Sequence, residues 1–319
     1  MRWATFQISS ITTPLVGLLR DGALYALPPP ETLIDVIADG DAGQAAAAQR
    51  AIRAPFHVAE LGDAELLAPI PRPPSVRDFM AFENHYVTSM AALGVPTHPL
   101  YYQQPVFYFS NPAAIQGPTE DVRMAPGSTA FDYELEVAAV IGRPGSNISP
   151  AEAQDHIAGY TILSDWSARD VQEAEMSFQI GPAKGKDTAT SLGPYLVSKD
   201  ELAPYATERG FDLAMTASVN GVLYSSGNWS SLYWSFADLI AYASRGTTLV
   251  PGDVVGAGTV GTGCIIELSR VHGAERYPYL VENDVVELTI AELGSITATV
   301  TAAQELIPLS RTTGRADGR

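Results

Sequence analysis

The chain has 319 residues, of which 46% are hydrophobic and 17% are charged, and it contains one cysteine. At roughly 150 residues per domain, this length predicts two domains whose core needs no disulfide or structural metal. The net charge of −17 argues against nucleic acid and anionic membranes as partners, and no segment approaches the ~20 consecutive apolar residues of a membrane span. A single cysteine and the lack of a signal-peptide pattern predict a cytoplasmic protein.

The N-terminal part of the chain alternates short strands and helices. Strands are predicted over residues 3–8, 15–19 and 23–26, and two helical runs over 32–37 and from there through Arg53. The stretch from Pro69 to Pro74 then contains four prolines, which remove backbone donors and favour extended conformations. We therefore predict a boundary here, with a small α/β domain over residues 1–70.

A helix is predicted directly after this boundary. Ser75 and Asp78 have the spacing of a capping box, and apolar residues follow at helical spacing, so we expect a helix over about residues 78–93. Asp78 and His85 are almost two helical turns apart and would share one face of it. A lone histidine at such a position is also typical of a packing or surface residue.

The remaining chain is predicted to be mostly β-structure. Between Gly, Pro and Asn residues we predict one helix over 235–243, and strands over 106–109, 134–141, 159–163, 195–197, 212–219, 254–256, 264–271 and 285–290. Residues 309–319 contain almost no apolar side chains and are predicted to form a flexible tail. The expected fold class is therefore α+β and mostly β, with the second domain over residues 71–308.

Two acidic side chains alternate along the strand predicted over residues 134–141. Glu134 and Glu136 would point to the same face, about 7 Å apart along the backbone. Such a pair is costly beside an apolar run unless a cation compensates it, and hard oxygen ligands favour Mg²⁺, Ca²⁺ or Mn²⁺. Asp165, at the end of another predicted strand, could complete the site. The alternative interpretation is an exposed polar strand edge, with Asp165 as a helix N-cap.

A nucleotide-binding pattern and the lone cysteine are both read as structural. Gly256, Gly258 and Gly261 have the spacing of a dinucleotide fingerprint, but the predicted strand over 264–271 leaves no helix to receive a pyrophosphate. Cys264 stands in an apolar strand pattern, which is typical of a small core residue rather than a nucleophile.

Taken together, several motifs resemble the fumarylacetoacetate hydrolase family over about Val76 to Ile290. The motifs that carry the resemblance are Arg77–His85, Asp132–Ala138, Asp165–Gln172, Lys184–Thr188 and Gly258–Leu268. The resemblance implies a small N-terminal α/β domain followed by a mixed β roll, with a metal at the mouth of the roll. It also implies a homodimer.

The resemblance further implies a role for each polar residue in these motifs. His85 would be the general base, oriented by Glu267, and Lys184 would add positive charge where an enolate develops. The implied ligands of Mg²⁺, or of Ca²⁺ or Mn²⁺, are Asp78, Glu134, Glu136 and Asp165. The side chains implied to hold the oxygens of the substrate are Tyr108, Arg169, Gln172 and Thr259.

The activity implied first is metal-dependent hydrolysis of a C–C bond in a small-molecule acylpyruvate or β-diketo acid. The alternative is an isomerase, hydratase or decarboxylase acting on an unsaturated 2-oxo dicarboxylate, and a third possibility is a non-catalytic β module that binds Ca²⁺. Gly94 stands where animal members of the family carry an arginine, which indicates a different hold on the substrate. Thr88 replaces the glutamate of decarboxylating relatives, which favours hydrolysis.

Overall fold

The computed structural model describes residues 1–92 and 94–310, so most of the predicted tail, 311–319, lies outside the described residues. Its helices are α1 (Leu33–Ala38), α2 (Gly40–Arg53), α3 (Glu83–Ala92), α4 (Arg169–Met176), α5 (Lys199–Leu202), α6 (Phe236–Ala243) and α7 (Ile265–His272). Short 3-10 turns cover Leu61–Asp63, Pro99–Tyr102, Ala153–His156, Ala203–Tyr205 and Trp229–Ser231. Within the described ranges, no helix has both the length and the apolar character needed to cross a membrane.

Strands dominate the fold, which confirms the predicted α+β, mostly β class. The first eleven are β1 (Arg2–Ile8), β2 (Ile11–Arg20), β3 (Ala23–Ala26), β4 (His57–Glu60), β5 (Glu65–Leu67), β6 (Val76–Phe79), β7 (Phe107–Ser110), β8 (Ile115–Gln116), β9 (Val122–Arg123), β10 (Phe131–Asp132) and β11 (Leu135–Ile141). The others are β12 (Gly145–Ser146), β13 (Ile157–Asp165), β14 (Ser167–Ala168), β15 (Thr190–Val197), β16 (Ala214–Val219), β17 (Val222–Asn228), β18 (Thr248–Leu249), β19 (Val254–Gly256), β20 (Val285–Ile290) and β21 (Gly294–Thr301).

A large mixed sheet runs through the whole molecule in the order β4-β3-β2-β1-β15-β13-β11-β19-β6-β7. Its N-terminal strands join the rest where β1 pairs with β15, with Trp3 opposite Leu196. Hydrogen bonding therefore crosses the boundary expected at residue 70, and the division into two domains stays a prediction. A second sheet has the order β17-β16-β20-β21-β9.

The central strand β11 is buried on both faces because its alternate side chains enter two cores. Val137 and Ala139 pack in one core with residues of β20 and β21, such as Leu288. Ala138 packs in the other core with residues of α1 and α2, such as Ile37. This double burial explains why the segment is an almost continuous apolar run. It also fixes which acidic neighbours can reach the end of the strand.

The helix predicted over residues 78–93 is wrong in its first part. Val76–Phe79 instead form β6, which pairs with β19 on one side and β7 on the other. Ser75 does not cap a helix, because its hydroxyl donates to Asp253 at 2.6 Å. The helix begins only at Glu83, so Asp78 and His85 do not share a helical face. Pairing with strands distant in the sequence overrides the local capping pattern.

The strand predicted over residues 264–271 is also wrong, because Ile265–His272 form α7. A helix therefore does follow the Gly256–Gly261 pattern. The expected lack of a helix was the reason for rejecting a nucleotide site, so that reason does not hold. Its first N–H groups are nevertheless occupied: Ile265 and Ile266 donate to the carboxylate of Asp132 at 2.7 and 3.0 Å. A buried carboxylate at this position leaves the helix N-terminus unable to receive a phosphate.

Candidate metal and active site

Two carboxylates approach each other across a glycine. Gly256 in β19 lies opposite Asp78 in β6 and opposite Ala138 in β11, two residues beyond Glu136. A Cβ on Gly256 would lie 2.6 Å from Asp78 Oδ1 and 3.2 Å from Glu136 Oε2. Asp78 is 3% exposed and Glu136 is fully buried. The missing side chain of Gly256 therefore makes room for both acids.

Glu134 and Asp165 bring two further carboxylates to the same place. Glu134 directly precedes β11, and Asp165 ends the neighbouring strand β13. Carboxylate oxygens of Asp78, Glu134 and Asp165 all lie within 4.8 Å of one another. Glu136 lies beside Asp78 and accepts a hydrogen bond from the Gly258 amide at 2.9 Å. The structure thus brings together the four acids that the sequence analysis singled out.

Burial and mutual repulsion shift the protonation of these acids. Burial raises the pKa of Asp78 to about 6, although a hydrogen bond with Glu136 opposes the shift. Burial also raises the pKa of Asp165 to about 8, against the opposing charge of Lys186. The pKa of Glu136 is raised well above its usual value by burial and by the charge of Asp78. The cluster therefore retains protons near neutral pH unless further positive charge is supplied.

Glu134 behaves differently because two cations contact it. Lys186 Nζ lies 2.6 Å from Glu134 Oε2 and 2.7 Å from Asp165 Oδ2. The guanidinium of Arg169 lies 2.8 Å from Glu134 Oε1. Although burial acts to raise the pKa of Glu134, Lys186 and Arg169 hold it below its ordinary value. The hydroxyl of Tyr108 adds hydrogen bonds to Asp165 and Asp78.

Lys184, which the sequence analysis assigned to the site, lies outside it. Its side chain is 69% exposed and pairs with Asp187 at 2.8 Å. The lysine that reaches the carboxylates is Lys186, two residues further on, whose side chain is only 4% exposed. The reason is the loop after α4, where Glu175 accepts hydrogen bonds from the amides of Ala183, Lys184 and Gly185. This anchored turn directs Lys184 outwards.

The acidic cluster fits a hard divalent cation. Oδ1 of Asp78 and Oδ1 of Asp165 are buried and have no hydrogen-bond partner within the described part of the chain. Carboxylate oxygens are the ligands that Mg²⁺, Ca²⁺ and Mn²⁺ prefer. A cation held there would satisfy these two oxygens and relieve the repulsion that raises the pKa values of Asp78 and Asp165.

A histidine–glutamate pair stands beside the acids. Nδ1 of His85, on α3, lies 2.8 Å from Oε2 of Glu267, on α7, and both side chains are at least nine-tenths buried. This contact holds the proton of the neutral ring on Nδ1, so Nε2 of His85 is free to accept a proton. Once Nε2 has accepted it, the carboxylate of Glu267 stabilises the protonated ring. The two residues thus form the pair that the resemblance implied.

Asp132, which the sequence analysis did not single out, connects this pair to the acids. It is fully buried and holds the first amides of α7, the helix that carries Glu267. It also accepts a hydrogen bond from Arg169 Nε at 2.8 Å. Arg169 in turn contacts Glu134. The signal was its place two residues before Glu134 in a motif already recognised.

One cavity of about 660 Å³ is lined by His85 and by three of the acids, Asp78, Glu134 and Glu136. Lys186 also lines the cavity. So do the four side chains that were predicted to bind substrate, which are Tyr108, Arg169, Gln172 and Thr259. Arg270, one turn after Glu267 on α7, lines it as well. A cavity of this size is typical of a small-molecule site.

Most of the chain matches one protein family. Residues 75–301 match the family model described as fumarylacetoacetate (FAA) hydrolase C-terminal. The chain belongs to the fumarylacetoacetate hydrolase family. It is therefore an enzyme of a superfamily whose members depend on a metal.

Two relatives that align with most of this chain are named oxaloacetate tautomerases. The chain is 32% identical to the human mitochondrial oxaloacetate tautomerase FAHD2A, over 93% of this chain and 90% of that protein. It is 33% identical to the oxaloacetate tautomerase YisK of Bacillus subtilis (strain 168), over 84% and 85% of the two chains.

Solved structures show the same fold. A 5-carboxymethyl-2-hydroxymuconate delta-isomerase from Mycobacterium smegmatis matches with a TM-score of 0.69 and 25% identity, over 95% of this chain and all of that one. A maleylpyruvate hydrolase from Sphingobium sp. SYK-6, in complex with manganese(II) and pyruvate, matches with a TM-score of 0.69 and 22% identity, over 95% and 100% of the two chains. The fold of this chain is thus shared by proteins named as an isomerase and as a hydrolase.

Proposed function

We propose that this enzyme interconverts the keto and enol forms of a small 2-oxo dicarboxylic acid of the oxaloacetate type, with Mg²⁺ or Mn²⁺ at the acidic cluster. The observation that carries the proposal is a single cavity lined both by His85, which pairs with Glu267, and by Asp78, Glu134 and Glu136 of the acidic cluster. Support comes from the two relatives above, which are named oxaloacetate tautomerases and align with most of this chain.

The proposed reaction needs a base beside a polarised carbonyl group. A divalent cation at the cluster would supply Lewis acidity to the oxygens of a 2-oxo acid. His85 would remove a proton from the carbon next to the carbonyl and return it to the enol, while Glu267 stabilises the imidazolium. Lys186, fixed by Glu134 and Asp165, would add positive charge near the developing enolate.

A second carboxylate on the substrate has a partner in Arg270. Among the cationic side chains that line the cavity, Arg169 is engaged by Asp132 and Glu134, and Lys186 by Glu134 and Asp165. Arg270 has no hydrogen bond or ion pair within the described residues. A free guanidinium at the wall of the cavity suits bidentate binding of a carboxylate.

The hydrolysis of a C–C bond in an acylpyruvate or β-diketo acid is the second candidate. The size of the cavity, about 660 Å³, favours it, because that volume holds an acyl group and a water molecule in addition to a 2-oxo acid. The same His85–Glu267 pair would then deprotonate the water. The expected homodimer also stays a prediction.

The test is to follow the decay of enol-oxaloacetate by ultraviolet absorbance, with Mg²⁺ and with excess chelator, and to analyse the products of oxaloacetate and acetylpyruvate. We expect metal-dependent ketonisation, lost in His85→Ala and retained in His272→Ala, a control on the exposed part of α7. Arg270→Gln should raise the KM for oxaloacetate about ten-fold or more.

Each product points to one reaction. Acetate and pyruvate from acetylpyruvate would transfer the assignment to the hydrolase. Carbon dioxide released from oxaloacetate faster than by Mg²⁺ without enzyme would transfer it to a decarboxylase. A rate in His85→Ala close to that of the unaltered enzyme would refute His85 as the base. Equal KM values for the unaltered enzyme and Arg270→Gln would refute the role of Arg270 in binding a carboxylate.

A further inference from the structure

A second group of metal-ligating side chains includes the His85–Glu267 pair. A ring nitrogen of His85, a carboxylate oxygen of Glu267 and Sγ of Cys264 all lie within 4.8 Å of one another. The three residues are 8%, 3% and 0% exposed. Cys264 is the N-cap residue of α7 and Glu267 lies in the first turn, so the helix start places their side chains on one side, facing α3.

The donor atoms of this group differ in kind from those of the acidic cluster. Four carboxylates select hard cations such as Mg²⁺, whereas a thiolate and an imidazole select softer ones such as Zn²⁺ and Cd²⁺. A tetrahedral Zn²⁺ site has bonds of about 2.0–2.3 Å, which separate its donor atoms by about 3.3–3.6 Å. Here His85 Nδ1 and Glu267 Oε2 lie 2.8 Å apart, and the donor atoms of the three residues all lie within 4.8 Å of one another.

We propose that His85, Cys264 and Glu267 form a second metal site, which takes a soft divalent cation such as Zn²⁺ and thereby inhibits the enzyme. The cation takes the place of the proton between His85 Nδ1 and Glu267 Oε2, and it displaces the proton of the Cys264 thiol. The ring proton of His85 moves from Nδ1 to Nε2, so the imidazole stays neutral, while the proton of the Cys264 thiol goes to solvent and no electron is transferred. His85 then no longer has the carboxylate of Glu267 free to stabilise its protonated ring, so proton transfer at the substrate stops.

The single cysteine of the chain gives a direct spectroscopic test. The full-length protein is saturated with Mg²⁺, which fills the acidic cluster, and titrated with Cd²⁺, while near-ultraviolet absorbance reports any cadmium–thiolate bond. We expect a band that saturates at one Cd²⁺ per chain and that is absent in Cys264→Ser. Glu267→Gln should weaken Cd²⁺ binding at least ten-fold, as should His85→Ala. His272→Ala, an exposed histidine on the same helix, should leave it unchanged.

Inhibition is measured separately on the same proteins. With Mg²⁺ at saturation, Zn²⁺ should abolish the ketonisation of oxaloacetate, and Cys264→Ser should need at least ten-fold more Zn²⁺ for the same loss. The absorbance titration does not depend on any activity, so it tests the site even where the proposed reaction is wrong.

Two results would overturn the second site. One is the lack of a cadmium–thiolate band in the unaltered protein. The other is a band whose Cd²⁺ affinity is unchanged in both Glu267→Gln and His85→Ala, since Cys264 would then bind the cation without the other two residues. Equal Zn²⁺ sensitivity of the unaltered protein and Cys264→Ser would overturn the inhibitory role alone.

Discussion

The replacement Gly256→Ala tests whether the acidic cluster holds a metal. The backbone of Gly256 lies in β19 and has no positive φ, so alanine can adopt it without strain. The added methyl group would meet Asp78 Oδ1 at 2.6 Å and Glu136 Oε2 at 3.2 Å. Both acids are proposed ligands, so the substitution disturbs the metal site while leaving every ligand in the sequence.

The expected loss follows from these distances. To reach an ordinary van der Waals contact of 3.4 Å, the Asp78 oxygen must retreat by about 0.8 Å, which exceeds the tolerance of about 0.5 Å for a preorganised site. Mg²⁺ requires nearly ideal octahedral bonds of about 2.0–2.1 Å, whereas Ca²⁺ accepts longer and more variable ones. We therefore expect Mg²⁺ affinity to fall about 10–100-fold, or about 1.4–2.7 kcal/mol, and Ca²⁺ affinity to fall less.

Calorimetric titration with Mg²⁺ and with Ca²⁺ measures the loss of affinity for each cation. Gly62→Ala is the matched control, because a Cβ there meets nothing within 4 Å. Thermal unfolding of the chelator-treated variant shows whether the fold is retained. An unchanged Mg²⁺ affinity in a folded Gly256→Ala protein would refute the placement of the cation between Asp78 and Glu136.

Three further predictions concern the charges around the cluster. Lys186→Met should lower kcat about 100-fold or more, whereas Lys184→Met should change it less than about two-fold; equal losses would contradict the inward direction of Lys186. Asp132→Asn should destabilise the fold by about 1.5–3 kcal/mol, because Arg169 loses one of its two buried carboxylate partners, and a denaturant midpoint near that of the unaltered protein would contradict this. In excess chelator, lowering the pH from about 9 to 6 should raise the unfolding temperature, because Asp165, with a pKa of about 8, and Asp78, with a pKa of about 6, bind protons in the folded state that the unfolded chain has released. Saturating Mg²⁺ should remove much of this rise in unfolding temperature, and Asp165→Asn should lessen it. An unfolding temperature that stays constant or falls as the pH is lowered would refute the raised pKa values of Asp165 and Asp78.

The sign of this pH effect depends on which acids titrate in the range measured. A carboxyl group whose pKa is raised by folding destabilises the folded state above its unfolded pKa, and the destabilisation is complete above its folded pKa. Asp78 and Asp165 therefore act between about pH 4 and their folded values of about 6 and 8. Glu134, whose pKa is lowered, acts in the opposite direction, but only below its ordinary value of 4.5.

Local periodicity was sufficient to predict part of the site. Glu134 and Glu136 share a face because strand geometry has a period of two, and β11 is long and apolar enough to be recognised from its own residues. The helix predicted over residues 235–243 is likewise found, as α6, and Ser235 and Asp238 form a capping box at its start. Residues 1–70 likewise contain the three predicted strands and two predicted helices close to their predicted positions.

Interactions between distant segments decided what periodicity could not. Asp78 lies on a strand because β7 and β19 pair with Val76–Phe79, and neither partner is near in the sequence. The helix α7 replaces the predicted strand because Asp132, more than a hundred residues earlier, holds its first two amides. The choice between Lys184 and Lys186 depends on the loop that Glu175 anchors.

Asp132 gives the site a single rigid frame. It binds the start of α7, and so positions Glu267 against His85, while the same carboxylate binds Arg169, which contacts Glu134. Any displacement of α7 must therefore disturb either a buried ion pair or two amide hydrogen bonds, each of which is costly to break in the protein interior. The carboxylate of Asp132 therefore holds the base, His85, and the acids at the central sheet in one fixed geometry. Precise placement of a base relative to a polarised carbonyl is what proton transfer at carbon requires.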